Sequence, residues 1–253
     1  MRVPLFAANW KMHKTAADAR GYVREFAALA KDVSGVEIVL APPFTALAAV
    51  ADAVTRTPFG VAAQNLYFER EGAFTGEVSA TMVKDAGATH AIVGHSERRR
   101  LFGETDEIVN RKLRAALSAG LAAIICIGET LEERERGGTL AVLDRQIRAG
   151  LDGLSGDEIG ALVVAYEPVW AIGTGKNATS AEAEEAHRHI RGRLAQWFGG
   201  APADRTRLLY GGSVKPDNIR ELISLADVDG ALVGGASLEP RTFHEIVRAA
   251  TSR

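Results

Sequence analysis

Ala161-Leu162-Val163-Val164-Ala165-Tyr166-Glu167-Pro168-Val169-Trp170-Ala171-Ile172-Gly173-Thr174-Gly175-Lys176 decides how the chain folds. Its first part, 161–166, is a short apolar run without clean polar alternation, the pattern of a parallel strand covered on both faces. The run stops at a carboxylate, Glu167, and Pro168 biases that residue towards an extended backbone. Beyond it lies a loop that is rich in glycine yet carries Trp170, Ala171 and Ile172, too apolar for an idle exposed segment. A covered strand that delivers a carboxylate to its own end, beside a segment able to close over it, suits a general base working away from water.

Outward from this unit, similar strand candidates span 5–10, 37–41, 60–64, 90–94, 122–126, 207–210 and 230–233. Amphipathic, helix-like runs follow the eight strands at 16–30, 45–54, 79–85, 105–119, 140–151, 181–198, 217–224 and 242–250. Glycines in Ala86-Gly87-Ala88 and Ser118-Ala119-Gly120 fit helix ends. Eight strand-then-helix units in 253 residues predict an α/β protein built as one closed (β/α)8 TIM barrel, a single domain over 1–253. An open doubly wound sheet is the rival architecture, with its site at one switch point. The polar candidates here follow the first, fourth, sixth, seventh and eighth strands, which a closed barrel gathers at one mouth.

The bulk properties narrow the function. Lys+Arg 30 against Asp+Glu 32, with no long basic block, argues against nucleic-acid binding through phosphates. No apolar run has transmembrane length, and the opening Met1-Arg2-Val3-Pro4-Leu5-Phe6 lacks the form of a signal peptide. A single cysteine, Cys126, allows no internal disulfide. A cytoplasmic protein with no membrane partner is expected. Cys126 reads as a small packed hydrophobe rather than a nucleophile.

Several residues join Glu167. His95 follows the fourth strand and opens a short helix start, Ser96-Glu97-Arg98-Arg99. The positive end of that helix should lower its pKa, leaving a neutral imidazole able to donate to an oxygen that gains charge. Capping of local backbone is the plainer role. His90 opens the strand at the opposite end and reads as structural. Asn9 and Lys11 end the first strand; Lys11 suits a phosphate or a developing oxyanion, and Asn9 orients it or a nearby loop. Two glycine pairs, in Tyr210-Gly211-Gly212-Ser213 and Val233-Gly234-Gly235-Ala236, follow the last two strands, where backbone N–H groups approach anions closely. Lys176, ending the loop, reads as a hinge or a solvated lysine. No metal is expected: His187 and His189 are two apart on a helix and point to different faces. The aromatic-rich joint 65–77 either covers the barrel or docks on a second subunit, and docking fits its rings better.

These motifs resemble the triosephosphate isomerase family. The run 165–176 matches its signature without a gap, and Asn9-Trp10-Lys11-Met12, Gly94-His95-Ser96-Glu97-Arg98, Tyr210-Gly211-Gly212-Ser213-Val214 and Val233-Gly234-Gly235-Ala236 follow in family order across nearly the whole chain. The match departs at His13-Lys14, where the family more often has asparagine after the methionine. The family is itself a standard illustration of pKa tuning and of a closing loop, so neither idea is independent of the resemblance. The resemblance implies Glu167 as base, His95 as electrophile, and Asn9 and Lys11 as the first-strand part of the site. Ser96 and Glu97 would support it, and Gly173, Ser213, Gly234 and Gly235 would hold a phosphate. It also implies a homodimer, with Thr75 and its loop entering the partner and Arg98 paired to a carboxylate at the loop-three contact. The implied substrate is a small phosphorylated triose, with no cofactor.

Overall fold

The computed structural model describes residues 2–173 and 178–251. Among them are eight strands: β1 (Leu5–Asn9), β2 (Glu37–Ala41), β3 (Gly60–Ala63), β4 (His90–Val93), β5 (Ala122–Ile127), β6 (Val163–Tyr166), β7 (Arg207–Tyr210) and β8 (Gly230–Val233). They pair in parallel in chain order and β8 returns to β1, closing a barrel. With the strands in chain order an open sheet would leave β1 one free edge; instead Leu5 through Ala8 pair with β2 on one side and β8 on the other.

Successive strand residues face opposite ways. Leu5, Ala7, Val39, Ile92, Ile124 and Leu209 fill the barrel interior. Their neighbours Phe6, Ala8, Leu40, Val93 and Leu208 belong to the larger core shared with the helices. Both faces are therefore apolar, which is why the strands show no alternation in sequence. Cys126 is one of the interior side chains and fully buried; burial first, then the nearby Glu167 charge, pushes its thiol pKa well up. It is a packed residue, as expected.

Capping boxes start several helices: Thr15 with Asp18 at Ala16–Leu29, and Thr179 with Glu182 at Ser180–Phe198. A third, Ser155 with Glu158, starts a helix at Gly156–Ala161 that the strand assignment overlooked. Ala161 ends that helix, and β6 starts two residues later. Short helices at Ser96–Phe102, Leu131–Glu135 and Gly200–Arg205 also lie between strands. Among the described residues no helix is long and apolar enough to cross a membrane.

The amino ends of the strands are closed by ion pairs. Glu37 meets His90 Nε2 at 3.1 Å and also pairs with Arg207, so His90 is the structural residue it was expected to be. Asp229 accepts from Arg2 Nε at 2.7 Å, Arg191 Nη2 at 2.8 Å and the Leu208 N–H at 2.9 Å. The two helix histidines separate as their spacing predicts: His187 is buried against the Asp227 carbonyl at 3.0 Å, and His189 meets Asp144 at 2.7 Å.

Candidate active site

At the carboxyl ends of the strands a cavity of about 400 Å³ is lined by Asn9, Lys11, His95, Glu167, Gly173, Ser213, Gly234 and Gly235. The chain supplies them from after β1, β4, β6, β7 and β8, the set of strands picked out by sequence. Hollows of about 440 Å³ beside Phe68 and Arg111, and about 490 Å³ beside Thr105 and Gln146, are as large. Neither gathers polar groups from so many strand ends, so size alone does not mark the site.

Glu167 is 1% exposed. Its backbone is gripped at the strand end: its N–H donates to Ile127 O at 2.7 Å. Gly128 leaves space for this grip, since a Cβ there would sit 1.7 Å from Glu167 O. Gly211 does the same on the other side, where a Cβ would fall 2.9 Å from Glu167 Cγ. One carboxylate oxygen, Oε2, accepts the Ser96 N–H at 2.8 Å. The other, Oε1, lies 2.8 Å from His95 Nε2, yet no donor is aligned with it. Burial works to raise the Glu167 pKa; the His95 ring, the Ser96 N–H and the Lys11 charge outweigh it and hold the carboxyl below its ordinary value.

His95 caps the helix Ser96–Phe102, its Nδ1 accepting the Glu97 N–H at 3.3 Å. The helix start alone predicts a lowered pKa, but the structure reverses that direction. Burial does push it down, but the adjacent Glu167 carboxylate overrides burial and raises it. The helix terminus acts against that pull, because a ring nitrogen that accepts a backbone N–H carries no proton. The imidazole thus stands between a carboxylate that favours its cation and a helix start that favours its neutral form.

Lys11 adopts φ 54°, the left-handed region that few side-chain-bearing residues enter. Two side chains hold it there. Asn9 Oδ1 accepts the Lys11 N–H at 3.1 Å, and Gln64 Nε2 donates to Lys11 O at 2.9 Å and to Ala41 O at 2.8 Å. The ammonium meets Glu97 Oε1 at 2.5 Å. Lys11 also passes close to the last glycine pair, since a Cβ on Gly234 would lie 3.4 Å from its Cε.

The start of the loop after β6 rests on Glu129, a fully buried carboxylate. It accepts from Trp170 Nε1 at 2.8 Å, from Tyr166 Oη at 3.1 and 3.2 Å and from Arg134 Nη1 at 3.3 Å. Arg134 also stacks on the Trp170 ring at 4.6 Å and pairs with Glu182. Sequence gave no role to Glu129, Gln64 or Arg134. The signal for the first two was available: each is a polar residue just past an apolar strand, as Lys11 is.

Some expected residues lie apart. Thr75 is exposed on its joint and does not line the cavity within this chain. Within this chain Arg98 pairs with Glu104, which follows its own helix; the loop-three contact expected of it involves a second subunit. In that joint Tyr67 stacks on Phe68 at 4.2 Å and Arg111 covers Phe68 at 3.5 Å, so part of its aromatic surface is satisfied internally. Thr174, Gly175 and Lys176 lie outside the described residues.

A sequence profile of the family described as Triosephosphate isomerase matches residues 4–250. The triosephosphate isomerase of Citrifermentans bemidjiense is 56% identical over 248 residues, covering 98% of this chain and 99% of that one. That of Carboxydothermus hydrogenoformans is 54% identical over 248 residues, with 98% and 99% covered. The crystal structure of triosephosphate isomerase from Bartonella henselae superposes with a TM-score of 0.88 at 44% identity, covering 98% of each chain.

Proposed function

The chain belongs to the triosephosphate isomerase family, and we propose that its mouth interconverts D-glyceraldehyde 3-phosphate and dihydroxyacetone phosphate, with Glu167 as base, His95 as electrophile and Lys11 as electrostatic stabiliser. The observation that carries this assignment is Glu167 itself: a buried carboxylate with one oxygen held by Ser96 N–H and the other turned to the His95 ring at 2.8 Å, facing a cavity that also holds Lys11.

The substrate dianion is drawn to Lys11, and the N–H groups of Gly173, Ser213, Gly234 and Gly235 take its phosphate. Glu167 removes a proton from the carbon beside the carbonyl. The electron pair left behind moves onto the carbonyl oxygen and forms an enediolate, to which His95 donates from Nε2 as a neutral ring. Nδ1 keeps the Glu97 N–H, and Glu167, once it has taken the proton, no longer favours the cation. Glu97 holds the Lys11 ammonium and Asn9 its backbone, so both act on charge placement. Glu167 then returns the proton to the neighbouring carbon, while the substrate's hydroxyl proton passes to the former carbonyl oxygen by way of His95 Nε2, so that the second oxygen becomes the new carbonyl. The loop after β6 excludes water, and phosphate binding away from the reacting carbon drives that closure. The reaction belongs to glycolysis and gluconeogenesis, in the cytoplasm.

The working unit is a homodimer in which Thr75 and its joint enter the partner beside Lys11 and His95. Exposed Met12, Phe74, Met82, Leu101 and Phe102 support an apolar face around those segments. Arg98 lies at its edge, stacked on the Phe102 ring at 4.6 Å.

Isomerisation of glyceraldehyde 3-phosphate, read by coupling the ketone formed to NADH oxidation, tests the activity. Folded protein without turnover would overturn it. Sedimentation at assay concentration tests the assembly, and a fully active monomer would remove the role given to Thr75.

A further inference from the structure

After β8 the backbone makes a single 3-10 turn, Gly235–Ser237, and the cavity wall includes Gly234, Gly235 and Ala236. A one-turn helix has little stiffness of its own and leaves its last carbonyls without internal partners. Here the turn is pinned from several directions. Ser237 is fully buried; its hydroxyl donates to Val233 O at 3.0 Å and Gly234 O at 2.7 Å, and its N–H donates to Gly234 O at 2.8 Å. Its own carbonyl is met from outside the barrel, by the Tyr22 hydroxyl at 2.8 Å.

Tyr22 sits on the helix Ala16–Leu29, 3% exposed. The Trp10 ring meets it edge-on at 4.7 Å, Phe26 stacks at 5.9 Å, and Lys14 Nζ lies 4.9 Å from its ring centre. These contacts hold the ring in place, with its hydroxyl at the Ser237 carbonyl. Burial pushes its pKa upward, so the hydroxyl stays a donor. On the far side of the turn, Gly234 lies against Lys11.

We propose that Tyr22 is a positioning residue for phosphate recognition: its hydroxyl fixes the Gly235–Ser237 turn so that the Gly234 and Gly235 N–H groups converge on the substrate phosphate. This rests on the assignment of those glycines to the phosphate. Backbone donors favour an anion only when they are held convergent before it arrives. Without the phenol, the buried Ser237 carbonyl has lost its donor, and the turn relaxes to find another.

Tyr22→Phe keeps the ring and removes the donor. The test measures, for the native protein and this variant, inhibition by inorganic phosphate, KM and kcat for glyceraldehyde 3-phosphate, proton exchange at the carbon beside the carbonyl of unphosphorylated D-glyceraldehyde, and thermal melting. Phosphate inhibition should weaken and KM rise by about fivefold, the scale of one neutral hydrogen bond, while exchange on D-glyceraldehyde stays the same. Equal phosphate inhibition in both proteins overturns the role of Tyr22 and leaves the phosphate site standing. An equal loss on both substrates with a lowered melting point shows a merely structural residue and also overturns it. A native protein that phosphate does not inhibit removes the phosphate assignment, and this proposal with it.

Discussion

The two ends of the barrel use the same kinds of residue to opposite effect. At the amino end, Glu37 is met by His90 and Arg207, and Asp229 by Arg2, Arg191 and the Leu208 N–H. Both carboxylates have partners that occupy them. At the carboxyl end, Glu167 is more deeply buried than either, yet its Oε1 faces only the His95 ring, at 2.8 Å and without an aligned donor, and Lys11 stands on a left-handed backbone. A buried carboxylate whose hydrogen bonds are complete adds order to a fold; one whose bonds are incomplete keeps capacity for a substrate. The difference lies in how completely each group is satisfied.

Exchanging the damage between the ends gives the largest test. Glu167→Gln should lower turnover by roughly a thousandfold or more while leaving the melting temperature nearly unchanged. Asp229→Ala should do the reverse, costing about 1–3 kcal/mol of stability by taking the acceptor from Arg191 Nη2 and the Leu208 N–H, with turnover per folded molecule kept. Denaturant titration and kinetics on the same samples read both quantities, and a turnover loss in Asp229→Ala without a stability loss would break the division.

Acid sharpens the comparison further. His187 is fully buried and its Nε2 has no hydrogen-bond partner. Burial lowers its pKa to about 4 against the opposing pull of the Asp227 carbonyl. The unfolded chain takes that proton at the ordinary 6.5, so its contribution is whole above that pH and is lost as pH falls towards 4, up to about 3 kcal/mol. Glu37 adds a second loss lower down: His90 and Arg207 hold its carboxyl near about 2, so its support is whole above 4.5 and disappears below. His187→Gln should flatten stability against pH between 6.5 and 4 without touching the lower interval. An unchanged slope would discard His187 as the group responsible. The smallest effect belongs to Trp170→Phe, which removes one of several donors to Glu129. It should change kcat/KM by less than about tenfold and leave melting alone; a thousandfold loss would place Trp170 among the reacting groups.

Much of the barrel was legible because its signals are local. The strands Glu37–Ala41, Arg207–Tyr210 and Gly230–Val233 have the bounds their apolar runs predict. The miss at Ala161 is equally local: Ser155 and Glu158 form a capping box that outweighed the apolar character of the residues after it. The helix read from Asp217 begins at Ile219, because Asn218 accepts the Lys215 N–H and donates to Ser213 O, holding the preceding residues in a turn. In the site, the contiguous motif around Glu167 and the helix start after His95 were readable. Gln64 touching Lys11, Glu129 touching Trp170 and Tyr22 touching Ser237 were not, since each contact exists only once distant strands are brought around the ring. The His95 pKa was misjudged for the same reason: its helix is local, while its carboxylate neighbour comes from a strand two places along.

Closure of the ring also has a bearing on biosynthesis. β1 gains its second neighbour only when β8 arrives, and these lie at opposite ends of the chain. At ordinary ribosomal speed the segment from Asn9 to Gly230 takes roughly ten to forty-five seconds to make, and throughout that time one edge of β1 has no native partner. The exposed ladder is brief, Leu5 through Ala8, and a short edge is a poor template for another chain. The nascent protein is thus guarded during its longest vulnerable interval by the smallness of the seam that it closes last.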